Sequence, residues 1–287
     1  MNPIGNFLNL PPELTDPAAA RYAILPVPYE GTVCYMPGTA AGPAAIIDAS
    51  AQVERFDEEL LADLTAAGIA TYPPVAAAAS PAQQMDRVYE AAGKVLGEGK
   101  FLLTLGGEHS ISAPLVRAAR ERFGELSVLQ LDAHADLRDS YGGTGLSHAC
   151  VMRRVMEVAP RLCQVGIRNV SLEEFQSCPR QVKNFITPRI IEDDPNWIDR
   201  ALALLGEKVY LTIDIDVFDP SYVPGTGTPE PGGLNWRQVT SLLRRLCTQR
   251  QLVSADIVEV APVPGSHVSE FLAARLAYKI IAYTQIR

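Results

Sequence analysis

The 287 residues contain no CxxC pair, and the five cysteines (Cys34, Cys150, Cys163, Cys178 and Cys247) are scattered and odd in number. That excludes a disulfide framework and a thiolate zinc site and describes free thiols in a reducing compartment. The segment from Met1 to Asp16 has Pro11, Pro12 and Glu13 but no basic stretch ahead of an apolar one. Neither a signal peptide nor a membrane span is expected, and the chain reads as cytoplasmic. Basic residues are few, 25 against 33 acidic, for a formal charge of −8. That balance argues against nucleic acid or an anionic membrane as partner and suits a small cationic substrate. A dinucleotide fingerprint is absent. Gly225-Thr226-Gly227-Thr228-Pro229 lacks the lysine and the strand–loop–helix setting of a phosphate loop and reads as a turn.

What is present is an alternation of apolar, β-branched runs with helical patterns. Strands are expected at Tyr22–Val27, Phe101–Leu105, Leu126–Leu131, Leu162–Val165, Val209–Ile215 and Leu252–Val260, with weaker ones near Ala70–Tyr72 and Val182–Ile186. A capping box at Ser80-Pro81-Ala82-Gln83 opens a helix over Pro81–Leu96. Ser171 and Asn235 open others in the same way, and Glu270–Tyr283 forms the last helix. Apolar strands alternating with helices specify an α/β fold whose parallel sheet is covered on both faces, with ligands collecting beyond the strand carboxyl ends.

The polar residues cluster at those ends. Asp132-Ala133-His134-Ala135-Asp136 follows one apolar run, Asp214-Ile215-Asp216 ends another, and Gly106-Gly107-Glu108-His109 follows a third. Residues two apart on an extended strand point the same way, so each cluster is expected to aim its side chains at one point. Burying that many carboxylates without countercharge is prohibitive, so cations are expected among them. Oxygen and imidazole donors without thiolate suit manganese or a similar divalent ion. Four carboxylates balance two such ions, and an ion pair of that kind supplies ionised water for hydrolysis at neutral pH. Of only four histidines, His109, His134 and His148 fall in or beside these clusters, and His267 reads as a surface residue.

Taken together, Gly106–His109, Asp132–Asp136, Ser147-His148, Ile213–Pro220, Gly225–Gly233 and Asp256–Pro262, with Pro28–Thr32, Pro37–Thr39 and Gly42-Pro43 near the start, resemble the arginase/agmatinase (ureohydrolase) family over nearly the whole chain. The resemblance implies one ureohydrolase domain over residues 1–287, a three-layer α/β/α sandwich around a mostly parallel sheet of about eight strands. It implies hydrolysis of a guanidino group to urea and an amine at two manganese ions, most like agmatine to putrescine, with arginine, guanidinobutyrate and aminopropylagmatine as other substrates, and a homotrimer or homohexamer. It assigns His109 and Asp136 to one ion, His134 and Asp216 to the other, and Asp132 and Asp214 as bridges. Glu259 falls where the family holds the guanidinium and His148 where it places a proton shuttle. A guanidinium is a planar fork of donors that a carboxylate binds at two points, and an imidazole can protonate a leaving amine. Asp219 is expected to support the ligands from behind. Met36, Ala40, Ala41, Glu108 and Ala149 depart from the family pattern at positions expected to shape the pocket mouth or subunit contacts. Two rival readings are a single-zinc amidohydrolase of the deacetylase kind and a catalytically inactive regulatory relative.

Overall fold

The computed structural model describes residues 5–286. Its strands are β1 (Tyr22–Val27), β2 (Phe56–Asp57), β3 (Ala62–Asp63), β4 (Ile69–Thr71), β5 (Phe101–Gly106), β6 (Ser127–Leu131), β7 (Leu162–Val165), β8 (Lys208–Asp214) and β9 (Gln251–Val258). Seven of them form one sheet in the order β4-β1-β5-β9-β8-β6-β7, every pairing parallel, while β2 and β3 make a small antiparallel hairpin. The sheet therefore has seven strands where about eight were expected. The shortfall is Val182–Ile186. Val182 ends a short helix, and Ile186 makes one isolated bridge to Val165.

The helices are α1 (Gly42–Ser50), α2 (Pro81–Gly97), α3 (Ser112–Phe123), α4 (Val151–Val158), α5 (Leu172–Ser177), α6 (Pro179–Val182), α7 (Pro188–Asp193), α8 (Trp197–Ala203), α9 (Trp236–Gln249) and α10 (Val268–Tyr283). Strand alternation sorts the apolar side chains into two cores. Leu129 and Leu131 face α1, α8, α9 and α10, whereas Val128 faces α2, α3 and α4. This is the expected three-layer sandwich. Ser171 with Glu174 and Asn235 with Gln238 form full capping boxes. At Ser80 only half of the box forms, the Ser80 hydroxyl accepting from the Gln83 amide above Pro81.

The β2–β3 hairpin is fastened to α10 by a buried ion pair. Lys279, 1% exposed, lies 2.8 Å from Asp57, which is fully buried, and reaches Glu58 at 3.2 Å and Glu59 at 3.4 Å. Burial by itself raises the Asp57 pKa, but the Lys279 ammonium and the Leu60 and Glu59 amides outweigh it and hold the carboxyl below its ordinary range. A depressed folded pKa contributes stability above the unfolded value, and that stability is lost as pH falls through the folded one. Lys279→Met leaves Asp57 buried and short of its countercharge. It is expected to cost about 3–5 kcal/mol and to move acid unfolding to higher pH. Denaturant titrations at neutral pH and at pH 4 check both effects, and an unchanged midpoint would contradict the pairing.

Candidate metal centre and cavity

The acidic clusters converge beyond the strand carboxyl ends, although strand alternation is not what aims them. β6 stops at Leu131 and β8 at Asp214. Asp132 to Asp136 lie in the loop after β6, and Asp216 sits in a single 3₁₀ turn, Ile215–Val217. Backbone turns do the aiming. Asp136 has φ of 53° and Glu259, immediately after β9, φ of 64°, both in the left-handed region that costs a non-glycine residue about 1–2 kcal/mol. Glu259 is held there by its amide on Gly107 O and by its Oε1, which accepts from the His109 amide at 2.6 Å.

His109 is buried at the centre. Its Nδ1 lies 3.1 Å from Asp132 Oδ2, 3.1 Å from Asp136 Oδ2 and 3.5 Å from Asp214 Oδ2. On the opposite edge of the ring, Nε2 meets Thr212 Oγ1 at 2.9 Å. Thr212 gives its hydroxyl proton to Asp256 at 2.7 Å, so it accepts from His109 Nε2–H and leaves Nδ1 as the lone pair. That lone pair, with no hydrogen-bond partner, faces three carboxylates. Lone pairs converging on one point in a buried space call for a cation, and the donor set fits a divalent one.

His134 anchors a second group. Its Nδ1 lies 2.9 Å from Asp216 and 3.7 Å from Asp132. Two sets of side chains bring their ligand atoms within 4.8 Å of one another, His109–Asp132–Asp214 and Asp132–His134–Asp216, with Asp132 common to both. Asp136 joins the first through His109. Backbone amides fix one oxygen of Asp214 and one of Asp216, from Asp216 N and Ala133 N at 3.0 Å each, so the other oxygens face the imidazoles.

The clustered carboxylates act strongly on one another and on the imidazoles. Burial raises the Asp214 carboxyl well above its ordinary range, and Asp216, Asp132 and Glu259 add to the effect; burial and Asp132 raise Asp136. Burial alone would lower both imidazoles. Instead Asp132 and Asp136 hold His109 well above its usual value, and Asp216 and Asp132 push His134 to about 12. Burial likewise pushes Glu259 up to about 8, offset in part by the His109 amide. Buried carboxylates this close to one another favour a bound proton or cation.

One cavity exposes His109, His134, Asp136, Asp214, Glu259 and His148 to a common space. His148 opens a 3₁₀ turn at the foot of α4. Met36 and Ala149, two of the departures from the family pattern, also line the cavity, whereas Glu108 is fully buried behind it. Asp219 behaves otherwise than expected. Its four hydrogen bonds go to Ser221, Gly232 and Gly233, and these contacts hold its pKa down at about 2 as the organiser of a turn. His267 is a surface residue paired with Glu270.

Sequence reading missed Thr212, Asp256 and Gln130, whose amide reaches Asp132 at 2.7 Å. Asp256 carried a signal. It is an acid at a buried position of a mostly apolar strand, tolerated only with partners, here Tyr210, Thr212 and Ser112.

Residues 20–282 match the arginase family. The chain is 40% identical to the N(1)-aminopropylagmatine ureohydrolase of Synechocystis, covering 94% of this chain and 91% of that protein. It is 35% identical to the agmatinase of Bacillus anthracis, covering 85% and 84%. Among solved structures, the agmatine ureohydrolase of Thermoplasma volcanium superposes with a TM-score of 0.86 at 33% identity, covering 95% of this chain and 92% of that one.

Proposed function

Because the chain belongs to the arginase family, we propose that it is a ureohydrolase acting on agmatine or its aminopropyl derivative, cleaving the guanidino carbon–nitrogen bond to give urea and an amine. The observation that carries this reading is the lone-pair edge of His109 facing Asp132, Asp136 and Asp214 inside the cavity that also holds Glu259. In this reading His109 and Asp136 would hold one manganese ion and His134 and Asp216 the other, with Asp132 and Asp214 contributing to both. Bound there, the ions would make a water acidic enough to ionise near neutral pH.

The chain's own residues do the rest. Glu259 pairs with the guanidinium fork, and the cation's charge favours its ionised form in spite of burial. His148 donates a proton to the departing amine, which would otherwise leave as an anion. Arg138 is the one Arg or Lys lining the cavity among the described residues, and it is engaged by Glu173 at 3.2 Å and lies over the Tyr141 ring. Among the described residues no unengaged guanidinium or ammonium lines the cavity to meet an α-carboxylate, while Glu174 and Glu259, the lining carboxylates not assigned to the ions, favour a cationic substrate.

Urea release from manganese-loaded protein is expected with agmatine and aminopropylagmatine, with kcat/KM at least about tenfold above that for arginine or guanidinobutyrate. Equal turnover of arginine would contradict the reading of the pocket, and no urea from any of the four would contradict the function. The same reading carries a homotrimer or homohexamer in the cytoplasm.

A further inference from the structure

Gly107 leads to a second feature of the site. A Cβ on this glycine would lie 2.1 Å from Tyr29 O, so only glycine lets the chain after β5 pass this close to the segment after β1. The backbone contact, Glu108 N on Tyr29 O at 2.8 Å, brings the buried Glu108 carboxylate under Gly31 and Thr32.

Glu108 is fully subscribed. Its Oε2 accepts from the amides of Gly31 and Thr32, each at 2.6 Å, and its Oε1 from the hydroxyls of Thr32, at 2.8 Å, and Ser110. A carboxylate only accepts, so Thr32 spends its one hydroxyl proton on Glu108. Two lone pairs remain on Thr32 Oγ1, and two nitrogens meet them, the His148 backbone amide at 3.2 Å and His148 Nδ1 at 3.1 Å. Thr32 can therefore serve His148 Nδ1 only as an acceptor. Ser147 Oγ, 3.3 Å from the same nitrogen, is free to play either part. The far nitrogen, Nε2, is 3.6 Å from Cys34 Sγ on the cavity side.

We infer that Thr32, held by Glu108, is a positioning residue for His148: it fixes the neutral imidazole with its proton on Nδ1 and its lone pair on Nε2 facing the cavity. To serve as donor, His148 takes up one proton at the Nε2 lone pair from water in the cavity and passes that same proton to the departing amine, returning to the neutral form, while the proton on Nδ1 stays in its bond to Thr32. The same device holds His109, whose Nε2 meets Thr212, itself bound to Asp256. This inference rests on the reading of His148 as proton donor.

Thr32→Val keeps the shape and removes the acceptor, and Thr32→Ser keeps the acceptor. Thr32→Val is expected to lower kcat about tenfold or more with KM and manganese content unchanged, and Thr32→Ser to restore it. Imidazole ¹⁵N spectra of the full-length protein, with the His148 signals identified by their loss in His148→Asn, read the tautomer without any turnover. They should show Nδ1 protonated in the parent and in Thr32→Ser, and a shift toward protonated Nε2 in Thr32→Val. A parent His148 protonated on Nε2 would overturn the inference even if the valine variant did not fold, as would wild-type kcat in Thr32→Val or a serine variant as slow as the valine one. Unchanged turnover in His148→Asn would instead remove the proton-donor reading and leave the tautomer result standing.

Discussion

Asp132→Asn is expected to deprive the protein of both ions and to abolish urea release, lowering turnover by about 10³-fold or more. Asp132 is the one carboxylate common to both groups of ligand atoms. Its Oδ1 is bound by the His134 amide at 2.6 Å, and its Oδ2 by Gln130 and close to His109. An amide at position 132 has the right volume and one acceptor oxygen, but it removes a full negative charge from a space that has to balance two dications. It also places an NH₂ group beside donors that already point there. Elemental analysis and urea release on the same preparation check this. Asp214→Asn is expected to reduce metal and activity together as well; two retained ions with full activity would take Asp214 out of the shared pair.

The second large effect is expected at Glu259. Glu259→Gln should lower kcat/KM for agmatine by about 10²-fold or more, because a charge-assisted, two-point contact with a guanidinium is replaced by a neutral one that offers a single acceptor. Metal content should be unchanged, since Glu259 Oε1 is bound to the His109 amide at 2.6 Å and Glu259 belongs to neither group of converging ligand atoms. Loss of metal in this variant would make Glu259 a ligand. Retained turnover would assign the guanidinium to another carboxylate of the cavity.

The sheet was legible because its strands are continuous apolar runs. β1 and β7 begin and end where expected, at Tyr22–Val27 and Leu162–Val165, and β8 and β9 are displaced by one or two residues at their ends. Val182–Ile186 failed as a strand because Pro179 starts a helix that runs to Val182, leaving too short a segment to pair. The spatial order of strands depends on packing between distant segments, and no local pattern encodes it.

The converging acids were legible for a different reason. Carboxylates next to buried runs are costly enough to need a cause. How they converge was not legible. Positive φ at Asp136 and Glu259 has no compositional sign, since the residues are not glycine and the strain is imposed by the surrounding backbone bonds. Thr212 and Thr32 were equally invisible. In sequence a threonine in a strand or loop looks the same whether or not its hydroxyl is committed to a buried carboxylate, and the partners Asp256 and Glu108 lie 44 and 76 residues away.

Two divalent cations are proposed to complete the charge of this acidic pocket. The most direct test is the metal content of the full-length protein after loading with manganese and exhaustive dialysis. Two ions retained per chain is the predicted result; one ion or none would contradict it.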